Sequence, residues 1–150
     1  MITKSAAETR ALGEKLAGRL QPGDVLLLEG DLGAGKSELT RGIAKGLGVT
    51  ETVTSPSFTI LNVYEGGRLR MYHFDWYRLQ GAGEIWEAGL DEYLGQDGVT
   101  LIEWAERAPE CVPERFLRVH FEKGEGDVRH ISFQPQGSFP EMNIRGEQKE

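Results

Sequence analysis

A single cysteine, Cys111, stands among the 150 residues, which rules out an internal disulfide framework. Histidine is sparse as well. His73, His120 and His130 form no zinc-ligand constellation by spacing. Long apolar runs are missing. The longest aliphatic run is Val25 to Leu28, whereas a membrane helix needs about 20 residues. The opening Met1-Ile2-Thr3-Lys4-Ser5 lacks the apolar centre of a signal peptide, so a cytoplasmic location is expected. Runs of lysine or arginine are absent too. Acids outnumber bases 24 to 17, for a net charge of −7. Stand-alone nucleic-acid binders usually show a basic face, so any nucleic acid here is expected to be held by a partner. What remains is ordinary for a globular protein: 39% hydrophobic and 27% charged residues. A chain of this length suits one domain and can bury roughly 70% of its unfolded surface.

Against that background one stretch stands out. Gly30-Asp31-Leu32-Gly33-Ala34-Gly35-Lys36-Ser37 fits G-x-x-x-x-G-K-[ST], the phosphate-binding loop (P-loop) of nucleoside-triphosphate-binding proteins. The glycines let the backbone curl so that its N–H groups form an anion-binding nest. Lys36 brings a mobile positive charge to the outer phosphates, and the Ser37 hydroxyl suits Mg²⁺. The context agrees. Val25 to Leu28 reads as a buried strand before the loop. Leu39, Ile43, Ala44 and Leu47 recur at helical spacing after it, and Gly48 is a suitable stop. The positive end of that helix would face the phosphates. Asp31 to Glu38 are therefore the candidate nucleotide-binding residues.

Ser5-Ala6-Ala7-Glu8 reads as a capping box that opens a first helix, with Leu12, Leu16 and Leu20 stacked along it. Ser5 and Thr9 serve as helix-start residues or approach a nucleotide. Pro56 makes residues 53–59 extended rather than helical. The hydroxyls of Thr54, Ser55, Ser57 and Thr59 there suit either a plain loop or a switch that senses Mg²⁺ or a γ-phosphate. Two strands are expected at 58–64 and 68–74, joined by a two-residue turn at Gly66-Gly67. The second runs into His73-Phe74-Asp75-Trp76-Tyr77-Arg78. Residues 84–94 should be helical, with Ile85, Trp86, Leu90 and Leu94 on one face. Val99 to Ile102 reads as a buried strand ending in Glu103. If it runs parallel to Val25–Leu28, Glu103 reaches the phosphates. A second hairpin is expected at 116–121 and 128–133, pairing Leu117 with Phe133, Val119 with Ile131 and Phe121 with Arg129. That register opposes His120 and His130. The domain is expected to span 1–133, with 134–150 a polar, mobile tail. The expected fold is α/β: a single P-loop domain with a mixed sheet, flanking helices and added antiparallel hairpins.

Four blocks in order, Gly30 to Ser37, Thr54-Ser-Pro-Ser-Phe-Thr59, His73-Phe-Asp-Trp-Tyr-Arg-Leu79 and Leu101-Ile-Glu-Trp104, resemble the TsaE (YjeE) family. That family supplies the ATPase of bacterial tRNA threonylcarbamoyladenosine biosynthesis. The resemblance implies ATP and Mg²⁺ as cofactors and TsaB and TsaD as partners, with tRNA met only through their complex. TsaD, not the TsaE protein, transfers the threonylcarbamoyl group; ATP hydrolysis supports repeated cycles. Carried over by motif, Lys36 and Ser37 match the phosphate and Mg²⁺ ligands. Asp75 and Glu103 match the family's two acids: with Lys36 they are the implied catalytic residues, Glu103 coordinating Mg²⁺ or orienting water and Asp75 a possible base in the same cluster, with their separate roles open. Thr54, Ser55, Ser57, Arg78 and Trp104 fall where a switch or partner contact is expected. Ser37 and Glu38 replace two frequent threonines. Glu38 adds a charge that is unfavourable if it faces a triphosphate. Ser57 keeps a hydroxyl where threonine is frequent, and Ala105 replaces a frequent proline.

The implied chemistry is phosphoryl transfer to water, slow in isolation, with Arg78 and Arg107 the cis candidates for an arginine finger. Two other classes fit a phosphate loop: a small-molecule kinase, which needs an acceptor pocket and a lid, and a binding module that uses nucleotide without hydrolysing it.

Overall fold

A computed structural model describes residues 1–31 and 33–142. Its centre is β2 (Val25–Glu29), whose four apolar residues are all buried. Alternation decides where each goes. Leu26 and Leu28 join one core and Val25 and Leu27 the other, on opposite faces of the sheet. A strand buried on both faces must be apolar throughout, which is why the sequence shows a run instead of alternation.

Among the described residues the sheet has seven strands. β1 (Ile2–Thr3), β3 (Leu61–Tyr64), β4 (Met71–Asp75), β5 (Val99–Glu103), β6 (Phe116–Lys123) and β7 (Arg129–Gln136) join β2 in the order β1-β7-β6-β2-β5-β4-β3. β2 lies parallel to both β5 and β6, and β4 parallel to β5. β3 and β7 pair antiparallel with β4 and β6, and β1 pairs antiparallel with β7. The parallel centre with antiparallel margins is the expected mixed sheet.

Two long helices cover one face. α1 (Ala6–Ala17) is capped by Ser5, whose hydroxyl accepts from the Glu8 N–H at 3.1 Å, while the Glu8 carboxylate accepts from the Lys4 N–H. α2 (Lys36–Leu47) ends at Gly48 in the left-handed region, as expected. The two helices touch backbone to backbone. A Cβ on Gly42 would lie 2.0 Å from the Arg10 carbonyl oxygen, and one on Gly13 2.5 Å from that of Leu39. The other face carries only short pieces: α3 (Ala82–Glu87) and 3-10 turns at Leu90–Tyr93, Ala105–Arg107 and Pro109–Cys111. Among the described residues no helix is long and apolar enough to cross a membrane.

Several local expectations change. The first strand of the β3–β4 pair starts at Leu61, not residue 58. The Ile60 N–H turns back to the Pro56 carbonyl at 2.8 Å, and Ile60 takes a φ of 71°. Six residues, 65–70, separate Tyr64 from its partner Met71, so Gly66-Gly67 is not a two-residue turn. The loop is drawn onto the helices instead: the Arg68 N–H donates to the Leu47 carbonyl at 2.7 Å and its guanidinium to the Ala17 carbonyl at 2.5 Å. The helix expected over 84–94 is broken by Gly89 at φ 72°, and Trp86 points outward, 55% exposed.

The β6–β7 register is shifted by two. Val119 faces Phe133, Phe121 faces Ile131, and His120 faces Ser132 instead of His130. A shift of two keeps every side chain on its expected face, so the hydrophobic pattern could not detect it. The boundary placed after Phe133 falls inside β7, which continues to Gln136; Phe139 is then buried in the core on the α1–α2 side. Pro135 is tolerated because β1 pairs with β7 only at Arg129 and His130, leaving the other end of β7 as an edge. Residues 143–150 of the expected tail lie outside the described residues.

Candidate functional site

The C-terminal ends of β2, β4 and β5 lie side by side, with Leu28 beside Glu103 and Glu103 beside Asp75. Ligands of open α/β sheets bind at this edge. The phosphate loop leaves β2 here. Gly30, Gly33 and Gly35 take φ values of 149°, 81° and 111°, which side-chain-bearing residues rarely adopt. Gly30 is also pressed by β6: a Cβ would come within 2.8 Å of the Phe121 carbonyl oxygen.

A cleft opens over the loop. Its floor is Gly33, Gly35, Lys36, Ser37 and Glu38, and one wall is Asp75, Tyr77, Arg78, Glu103 and Trp104. Ser5, Ala6 and Thr9 at the start of α1, Ser55 and Ser57, and Asp127 and Arg129 from the β6–β7 hairpin complete it. Lys36 donates to the Gly30 carbonyl at 2.9 Å and lies 3.7 Å from a Glu103 oxygen. The other Glu103 oxygen is 2.9 Å from Nε2 of the buried His73. Burial pushes the Glu103 carboxyl up, but the hydrogen bond and charge of His73, with the charge of Lys36, outweigh it and hold the group below the usual carboxylate value. Asp75 is buried, and one of its oxygens accepts from the Tyr77 N–H at 3.0 Å.

The donors fit a hard cation. One hydroxyl, Ser37, and two carboxylates, Asp75 and Glu103, line the same cleft, and oxygen donors of this kind suit Mg²⁺. Three glycines held in the left-handed region ahead of α2 form the cradle a phosphate requires.

A family model described as "Threonylcarbamoyl adenosine biosynthesis protein TsaE" matches residues 3–131. The chain belongs to the TsaE family. It is 44% identical over 140 residues to the tRNA threonylcarbamoyladenosine biosynthesis protein TsaE of Bacillus subtilis, spanning 93% of this chain and 87% of that protein. The Treponema pallidum protein of the same name is 42% identical over 113 residues, 75% of this chain and 83% of that one. A crystal structure of Bacillus subtilis YdiB superposes with a TM-score of 0.79 at 42% identity, covering 91% of this chain and 84% of that one. The P-loop fold read from the sequence is therefore the fold of the family.

Most of the residues singled out by motif meet in the cleft, but some do not. Leu32 lies outside the described residues. Asp31 is exposed, and its carbonyl accepts from the Ala34 N–H; Ala34 itself is buried beneath the loop. Thr54 is turned to β3, where its carbonyl accepts from the Asn62 amide at 3.2 Å. Ser55 and Ser57 pair with each other at 2.7 Å on the cleft side. Glu38 is drawn into ion pairs with Arg10 at 2.9 Å and Arg41 at 3.1 Å, so the charge feared beside a triphosphate is compensated. Arg78 lies over the Phe58 ring at 4.3 Å, and Arg107 over Tyr77 at 5.2 Å. Trp104 adopts a φ of 61° and stands 4.8 Å from the Tyr77 ring and 6.0 Å from the Lys36 amine.

Sequence reasoning missed His73 as a site residue, although strand alternation puts it on the same face as Asp75. It also missed Arg129, which donates to the Gly33 carbonyl at 3.1 Å. No local motif marks that arginine. Only the pairing of β6 with β2 carries the hairpin tip over the loop.

Proposed function

We propose that this TsaE-family chain binds ATP with Mg²⁺ in the cleft and hydrolyses it as the ATPase of tRNA threonylcarbamoyladenosine biosynthesis. It acts in the cytoplasm with TsaB and TsaD and meets tRNA only through them. The observation that carries the reading is Lys36 held between the loop carbonyl of Gly30 and the Glu103 carboxylate. These two contacts keep the Lys36 ammonium over the loop, where the motif requires it to meet the outer phosphates.

The loop N–H groups and the start of α2 bind the phosphates, and Lys36 exchanges Glu103 for the outer phosphates. Ser37 and Glu103, with Asp75 beside them, would hold Mg²⁺, which supplies charge neutralisation on the β- and γ-phosphates. His73 fixes Glu103 in its rotamer and keeps it ionised. Asp75 orients the attacking water through a hydrogen bond to its carboxylate or takes the proton that water loses. Arg129 braces the loop from above through the Gly33 carbonyl. Arg78, on the cleft wall, lies over the Phe58 ring, and Arg107 lies over Tyr77 and Trp104, so both candidate fingers are engaged with aromatic rings and a further positive charge is expected from a partner. A partner supplying that charge can raise turnover by about 10³–10⁵-fold.

The test is Mg²⁺-dependent phosphate release from ATP by the chain alone and with TsaB–TsaD, with Glu103→Ala as control. Release stimulated by the partners and lost in the variant while ATP still binds is the expected result. Tight ATP binding with no release in any mixture would point to a module that uses nucleotide without hydrolysing it. Transfer of the γ-phosphate to a metabolite would make the chain a kinase.

A further inference from the structure

The segment from Gln80 to Gly98 carries Glu84, Glu87, Asp91, Glu92 and Asp97 and no lysine, arginine or histidine. Five of the chain's seven net negative charges thus sit in one crossover, between β4 and β5. All five acids are exposed. Among the described residues only Asp97 is ion-paired, to Arg70 at 3.2 Å. Amid these acids α3 anchors itself through buried Ala82 and Ile85 and turns Trp86 outward. Trp86 stacks on no other ring among the described residues, and Tyr93 is exposed on the next turn. None of these residues lines the nucleotide cleft.

A tryptophan left 55% exposed on a six-residue helix does nothing for the core. Large exposed rings within a polar rim mark protein contacts, and tryptophan is the residue type most enriched among binding hot spots. We propose that α3 and the following turn form a second docking surface, separate from the cleft, for a protein partner whose groove is basic and holds a pocket for the Trp86 indole. The unpaired acids attract a basic groove over a Debye length, and the ring anchors it. The same acids repel phosphate backbones and anionic lipid. A second copy of this chain, itself at a net charge of −7, is a poor match for them.

The surface is independent of the nucleotide cleft but rests on the partner reading, since TsaB–TsaD is the partner proposed above. The experiment measures binding of the full chain to purified TsaB–TsaD at low and high salt. Variants are Trp86→Ser and the triple reversal Glu87→Lys, Asp91→Lys, Glu92→Lys. Trp86→Ser is expected to weaken Kd about 30-fold. The reversal should slow association at least about 10-fold at low salt, with the difference shrinking as salt rises. ATP affinity of each isolated variant should match wild type, which reports that the fold is intact. Wild-type binding with both variants within about twofold of it overturns this proposal and leaves the partner reading standing. No binding by wild type overturns both. Concentration-dependent self-association lost in Trp86→Ser would assign the surface to a second copy and overturn the proposal as stated.

Discussion

Glu103 is held between the Lys36 ammonium and the His73 imidazole in a partly buried setting, and its behaviour with pH follows from that. Its carboxyl is held below the ordinary 4.5. A lowered carboxylate stabilises the fold at pH above its unfolded value, and that contribution is lost as pH falls through the lower folded value. Wild type should therefore lose stability relative to Glu103→Gln as pH drops below about 4.5, and the two should run parallel above it; urea midpoints across that range decide the point. His73 acts on the site through Glu103. Replacing it by Gln removes the first of the influences that oppose burial, so the acid limb of the ATPase pH profile should move to higher pH. An unmoved limb with merely lower turnover would make His73 a packing residue. Among these residues Lys36, Ser37 and Glu103 were legible, since the motif and the end of a buried strand mark them. His73 and Arg129 were not: one acts through a hydrogen bond across strands, the other through a contact 96 residues away in sequence.

At the scale of elements, α1 and α2 meet with almost no side chain between them. Gly42→Ala gains about 1 kcal/mol in helix propensity. It must also open the 2.0 Å approach to the Arg10 carbonyl, against backbone that cannot rotate away. Overpacking of this kind costs typically 1–3 kcal/mol and more where backbone must shift. We expect net destabilisation of about 2 kcal/mol, read by chemical denaturation; a more stable variant would mean the helices are free to separate. The helices were readable from capping and periodicity because both are local. The β6–β7 register was not, because Leu117 opposite Pro135 and Leu117 opposite Phe133 bury the same faces. The broken helix after Glu87 had a visible cause in Gly89, but the outward turn of Trp86 did not. In so short an element, packing and not periodicity chooses the face.

For the whole molecule, the cleft draws its walls from both ends and the middle of the chain: Ser5 and Thr9, Ser55 and Asp75, Glu103, and finally Asp127 and Arg129. Arg129→Ala should loosen the loop from the hairpin side, weakening ATP binding about 10-fold while leaving thermal stability nearly unchanged. Equal affinity by calorimetry would reduce Arg129 to a surface contact. The strand order has another consequence, for the chain during its own synthesis. β2 is made early but lies between β5 and β6, which are made more than seventy residues later. A growing chain that has not yet emitted Phe116 has the complete phosphate-loop sequence but no β6 to press on Gly30 and no hairpin to brace Gly33. Non-local parallel pairing of this kind is slow to form and leaves apolar edges open while it waits. Emergence of the β6–β7 hairpin is thus what completes the cleft, and a shorter nascent chain carries the motif without the walls that Asp127 and Arg129 supply.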